Sequence, residues 1–239
     1  MNTKYNVLLI IIFLLCSVIS SFGWISTATA GVYREEFKGN DLDKKLWEVK
    51  AEGNASYVVK DGNLTMTSPD VADGILIYWR GGDISNEDFS FEIKATVDPN
   101  TDNAGLIAFI RKDLPPTLNT TINAEWKNMF WCGKNTPGWY INNDDWKNAG
   151  VNGPEFEGTW KAEIKGNDII CYFNGKEVVT VDKIQEQRFI CFGPDTYTSH
   201  YLGAMTIDWI ELSGPTVTAA AVQSAEKLPI TWGMLKGRS

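Results

Sequence analysis

The feature that most constrains this chain is a rhythm. Short apolar runs of period two follow one another almost from end to end: "YREEF", "LWEVKAE", "SYVVK", "LTMTS", "ILIYWR", "FSFEIKATV", "GLIAFIR", "WKAEIK", "DIICYF", "EVVTV", "RFICF" and "MTIDWIEL". Most alternate an apolar residue with a polar one and are rich in β-branched and aromatic side chains, which suit a pleated surface buried on one face. Turn chemistry stands between them. Asp61-Gly62, Gly166-Asn167 and Asn174-Gly175 each join two such runs, and such pairs reach the positive φ angles of a tight hairpin at little steric cost. No helical stripe of apolar residues interrupts the pattern. Many short strands without helices predict an all-β protein, a sandwich or a barrel.

The first thirty residues stand apart. Lys4 is followed by the apolar run Val7 to Ile19, then by "SFGWISTATAG" with Ala28 and Ala30 as a small-residue cleavage signal. This reads as a secretory signal peptide spanning 1–30, which places the protein as secreted, periplasmic or cell-surface. No later run is apolar enough to span a bilayer. Removing the leader takes away Lys4 and no acid, leaving a net charge of −9 against −8 for the whole chain. So acidic a chain lacks the clustered Lys and Arg that nucleic acids and anionic membranes require. Residues 31–214 then form one domain. "SGPTVTAAAVQSAEK" begins a small, polar linker, and "LPITWGMLKGRS" ends a short tail over 215–239. Cys132, Cys171 and Cys191 remain after the leader. Their spacing is not metal-like, and Cys171 and Cys191 read as buried strand residues, with a disulfide between them left open.

One segment breaks the rhythm. Four of the ten tryptophans lie in "EWKNMFWCGKNTPGWYINNDDWKN", among amides, acids, Gly and Pro. The surrounding stretch from Lys112 to Gly158 is expected to be a long functional loop, although "MFWCG" and "GWYIN" also read as two further strands. Indoles beside carboxylates and amides suit a sugar, whose ring has an apolar face and a hydroxyl rim. The candidate ligand-binding residues are Trp126, Trp131, Trp139, Tyr140, Asn142, Asn143, Asp144, Asp145 and Trp146. Tyr78 or Trp79, with Arg80, from "ILIYWRGG" is expected to form a second wall. Trp47 and Trp209 are assigned to the core.

Several stretches together resemble concanavalin A-like jelly-roll domains: "EEFKGNDLDKKLWEV", "VVKDGNLTM", "DFSFEIKATVDPNTDNAGLIAFIRKD", "WKAEIKGNDIICYFNGKEVVTV" and "GAMTIDWIELSG". The resemblance runs from about Tyr33 to Gly214. It implies a two-sheet antiparallel jelly-roll sandwich of the lectin, laminin G-like and glucanase kind, with a poly- or oligosaccharide as partner. Three functions fit it: a carbohydrate-binding module without catalysis, a 3-keto-disaccharide hydrolase-like enzyme, or a protein–protein adhesion module.

Candidate catalysts are sparse. Laminarinase-type enzymes carry E-x-D-x-x-E on one strand. In "MTIDWIEL", Asp208 and Glu211 match its second half, but Thr206 stands where the leading Glu is needed, and a hydroxyl cannot replace that carboxylate. Glu92, Arg111 and Glu211 are the candidate catalytic residues of an enzyme reading. The single histidine, His200, lacks the partners of a triad or metal site. No organic cofactor is expected. "DPNTDNAG" places oxygens at Asp98, Asn100 and Asp102. They form a candidate structural calcium loop set against the plainer reading of a turn, since the glycine and terminal glutamate of an EF-hand are missing.

Overall fold

The computed structural model describes residues 31–70, 73–82, 84, 88–101, 104–110, 126–133, 136–143, 145–148, 157–182, 189–194 and 203–217. Fifteen strands follow in chain order: β1 Gly31–Glu35, β2 Trp47–Glu52, β3 Ser56–Lys60, β4 Asn63–Ser68, β5 Gly74–Trp79, β6 Phe89–Val97, β7 Ala104–Ile110, β8 Trp126–Gly133, β9 Thr136–Asn143, β10 Asp145–Asn148, β11 Glu157–Lys165, β12 Asp168–Phe173, β13 Lys176–Asp182, β14 Phe189–Gly193 and β15 Gly203–Gly214. Apart from Phe130, β8, β9 and β10 are described through their backbone pairing. Among the described residues no helix is long and apolar enough to cross a membrane.

The predicted turns close the hairpins. Asp61 and Gly62 have φ of 54° and 77° between β3 and β4, and Asn174 and Gly175 have 48° and 76° between β12 and β13. Both central residues are left-handed, which matches the right-handed twist of the flanking strands. The strands assemble into two antiparallel sheets. Sheet A runs β13-β12-β11-β6-β15-β4-β3, with β1 also paired to β15. Sheet B runs β10-β9-β8-β7-β14-β5-β2. The long β15 has β6 along one side. On the other it pairs first with β4, through Gly203 to Ile207, and then with β1, through Ile210 to Gly214. The first and last strands are thus zipped together, Gly31 opposite Gly214.

Alternation along each strand builds the core. In β6 the residues Phe91, Ile93 and Ala95 are buried while Ser90, Glu92 and Lys94 face outward. Trp160, Ala162 and Ile164 of β11 and Leu64 and Met66 of β4 join them from sheet A. Ile75, Ile77 and Trp79 of β5 and Ile190 and Phe192 of β14 meet them from sheet B. An aromatic knot spans the two layers. The Trp47 and Trp79 rings cross edge to face at 5.1 Å, Trp47 meets Phe192 at 5.7 Å, and Phe91 meets Phe192 at 6.1 Å. Each such ring removes enough apolar area from water to contribute roughly 1.5–3 kcal/mol, with about 0.5–1.5 kcal/mol more per well-oriented pair.

Two expectations are corrected, and one open question is answered. The stretch from Lys112 to Gly158 is not one long loop. It contains β8, β9, β10 and the start of β11, so the strand reading of "MFWCG" and "GWYIN" holds. Trp209 is not in the core. The β6–β15 register slips between Ile207 and Trp209, so Asp208 is an extra residue, a bulge that shifts the strand's phase. Asp208 and Trp209 both end on the outer face, while Ile207 and Ile210 stay buried. The pairing left open for Cys171 and Cys191 does not form: the first lies in sheet A, the second in sheet B, and both are buried thiols, as read from their strands; burial raises the Cys171 thiol pKa far above its usual range.

Candidate functional site

The tryptophan-bearing strands form one end of sheet B. β8 pairs with β7 and β9, and β9 with β10. Trp131 stands opposite Tyr140, Trp146 opposite Asn142 and Asp145 opposite Asn143. Trp126 pairs with Ile110 of β7. Trp139 lies in β9 where the β8–β9 register shifts. Aromatic and amide positions far apart in a loop reading are therefore register partners on neighbouring strands. Asp144, between β9 and β10, lies outside the described residues.

The second wall does not form. Trp79 is 1 % exposed, with its ring 5.1 Å from both Tyr33 and Trp47. The physical reason is that β5, "GILIYW", is buried along its whole length. Ile75, Ile77 and Trp79 enter the main core, and Leu76 and Tyr78 are equally covered on the other face. Arg80 does reach the surface, just past β5. Its backbone N–H donates to Leu46 O at 2.7 Å, and its Nε lies 3.5 Å from Glu48 Oε2. It sits toward the β2 end of sheet B, away from β10.

Two of the candidate catalysts meet on the outer face of sheet A. Glu92 of β6 is directly opposite Glu211 of β15. The row continues to Lys161 and Tyr172 on one side and Arg34 on the other. Arg34 Nη1 is 3.1 Å from Glu211 Oε2, and the Arg34 guanidinium also covers the Trp209 ring at 4.1 Å. Lys161 is engaged elsewhere, by Glu163, which also holds Lys165 at 2.8 Å. Burial pushes the Glu92 carboxyl pKa up, opposed by Lys161 and reinforced by Glu211. Asp208 is paired with Lys94 at 2.7 Å, and Thr206 hydrogen-bonds Thr65. Arg111 lies outside the described residues.

No family model and no curated protein matches the sequence. Solved structures do match the fold. A Bacillus licheniformis β-glucanase superposes with a TM-score of 0.51 at 12 % identity, over 76 % of this chain and 97 % of that one. The carbohydrate recognition domain of Emp47p gives 0.51 at 10 %, over 79 % and 96 %. A structure from work on endo-acting O-glycanases with which human gut microbiota initiate mucin breakdown gives 0.53 at 13 %, over 76 % and 98 %. The fold is a concanavalin A-like jelly roll. At these identities the likeness shows the fold alone, and this fold hosts both lectins and glycan-cleaving enzymes.

Within this jelly roll the predicted residues fall in separate places: the β8–β10 end of sheet B, the outer face of sheet A, and the core. The "DPNTDNAG" stretch leaves β6 as a turn. Asp98 Oδ1 accepts the Asn100 backbone N–H at 2.7 Å and its amide at 3.1 Å, and Thr101 ties the turn to Ala204. Asp102 lies outside the described residues, and no three His, Cys, Asp or Glu side chains among the described residues gather to hold a metal. One feature escaped the sequence reading. A hollow of about 650 Å³ opens between the 41–47 segment, β2, β3 and Arg80.

Proposed function

We propose that this protein is an exported carbohydrate-binding module that performs no chemistry, with its sugar site on β8, β9 and β10. The observation that carries the reading is the register of these strands. It sets Trp131 beside Tyr140 and Trp146 beside Asn142 at one end of sheet B. Indole and phenol rings offer flat apolar area at low rotamer cost, and amides and carboxylates beside them suit paired hydroxyls. The export half rests on the leader. The likeness to the carbohydrate recognition domain of Emp47p supports the sugar half through the fold.

The test is a glycan array and tryptophan-fluorescence titration of the domain from Gly31 onward, with Trp139→Ala and Trp146→Ala. Truncating a central stacking ring removes about 2 kcal/mol or more, roughly a thirtyfold loss of affinity. Wild type and both variants giving the same blank or the same affinity refutes the reading.

A second reading has one observation in its favour. Glu92 and Glu211 are register partners on neighbouring strands, so their side chains rise side by side from one face, and a retaining glycosidase needs two neighbouring carboxyl groups. Glu92, with its raised pKa, suits the proton-carrying acid. Glu211, in its salt bridge with Arg34, suits the second carboxylate. New reducing ends from a bound glycan, lost in Glu92→Gln, select this reading. Binding without product selects the first.

A further inference from the structure

The hollow beside β2 lies at the end of sheet B opposite β10. Six strand spacings separate the two, roughly 25–30 Å. Its volume, about 650 Å³, falls within the range of small-molecule sites, about 300–1,000 Å³. Leu42, Trp47, Val49 and Tyr57 line it, and Lys44, Lys45, Arg80 and Glu48 are its charged residues.

The sequence "NDLDKKLW" explains why cations are presented there. Its two aspartates are turned onto the chain itself. Asp41 Oδ1 accepts the Leu42 N–H at 2.9 Å and the Tyr57 hydroxyl at 2.6 Å. Asp43 Oδ1 accepts the Lys45 N–H at 2.9 Å, while Asp43 O accepts those of Leu46 and Trp47. These bonds fix the segment and leave the two following lysines at the rim. Lys44 shares Asp41 at 3.2 Å but is 79 % exposed. Lys45 pairs with no carboxylate among the described residues. Arg80 meets Glu48 only through Nε, at 3.5 Å, and Glu48 is also held by Lys50 at 2.8 Å. The Leu46 carbonyl anchors the Arg80 backbone beside the hollow, and the guanidinium, 6.0 Å from the Phe189 ring, meets a carboxylate among the described residues only through Nε. The lining itself carries three cations and one carboxylate, with Asp41 beside it on Lys44 and Tyr57, on a chain of net charge −8.

We propose that this hollow is a second binding site, for an acidic saccharide. The carboxylate or sulfate meets Arg80 and Lys45, and the sugar ring lies against Tyr57 and Val49. Planar guanidinium donors match an oxyanion's geometry. The saccharide half rests on the carbohydrate reading above; the anionic half rests on the hollow.

The test is calorimetric titration of the domain from Gly31 with trigalacturonate, a sulfated heparin tetrasaccharide, and the methyl-esterified trigalacturonate as a neutral control. The expected result is binding of at least one acidic probe, at least tenfold weaker binding of the ester, and at least tenfold loss in Arg80→Gln/Lys45→Gln. Binding should also weaken on raising NaCl, because the rim charges are exposed. Trp146→Ala should leave it unchanged. An unshifted melting temperature shows that the double variant is folded. Absence of binding by both acidic probes, or equal binding by the double variant, overturns the proposal. Failure of the β8–β10 site appears separately, as neutral-glycan binding indifferent to Trp139→Ala and Trp146→Ala.

Discussion

Replacing Glu92 with Gln should make this protein more stable at neutral pH. Glu92 and Glu211 are exact register partners, and like charges set directly opposite one another destabilise a sheet by about 0.2–1 kcal/mol. Lys161, the neighbour on the other side, is bonded to Glu163 and offsets the cost at Glu92 only in part. Burial, the largest cause, and Glu211 raise the Glu92 pKa, Lys161 and Arg34 lower it, and the balance is upward. The native state therefore holds this proton more tightly than the unfolded chain, and ionising the group costs stability. That cost is absent below the unfolded value, about 4.3, and is complete once the pH exceeds the native-state value. Gln keeps the shape and removes the charge. A gain of about 0.2–1 kcal/mol corresponds to roughly 0.5–4 °C for a domain of this size. Thermal melts at pH 7 should show it, and it should vanish toward pH 4 and below. In a Glu211→Gln background the gain should shrink, since the repelling partner is gone. A melting temperature at pH 7 equal to or below wild type, or a gain that persists at pH 4, would refute the reasoning and mean that Lys161 compensates Glu92 fully.

Glu163 should behave oppositely. Burial raises its pKa, but hydrogen bonds from Lys161 and Lys165 outweigh this and take it down to about 2. Its stabilisation is present above about pH 4.3 and lost as the pH falls toward 2. Glu163→Gln should lower stability at pH 7 by roughly 1 kcal/mol, read as a lower melting temperature, and should make no difference near pH 2. Trp160→Ala, at a fully buried ring 5.4 Å from Phe173, should cost about 3–5 kcal/mol, read as a lower urea midpoint. Gly53→Ala should also destabilise, by about 1–3 kcal/mol in thermal melts: Gly53 has φ of +66°, and a Cβ there would collide with the Asp73 carboxylate.

The strand-and-turn grammar was readable because one-sided burial writes itself as alternation and the hairpins demand particular residues. "FSFEIKATV" and "NLTMTS" bury every second residue as their letters suggest. The pattern failed where a strand is buried on both faces. In "GILIYW" alternation vanishes, and Trp79 could not be told from a surface ring. It failed again at Trp209, which one extra residue moved to the outer face. A signal was present, since Ile207 and Ile210 are three apart where a regular strand would space them by two or four. In β9 and β10 Pro137, Gly138 and the Asn-Asp run masked strands with loop chemistry. The meeting of Glu92 with Glu211 was beyond any local pattern, because topology alone brings β6 against β15. Arg80 was picked out, but its companions at the hollow, Lys44 and Lys45, were not.

The zipping of Gly31 onto Gly214 has a mechanical consequence. Because the outermost residues of β1 and β15 face each other, tension applied through both ends loads the first rung of the ladder alone. The strands then peel rung by rung instead of sliding past one another under a shared load. Tethered at both ends, such a module would yield at low force; hung from one end, it would feel none.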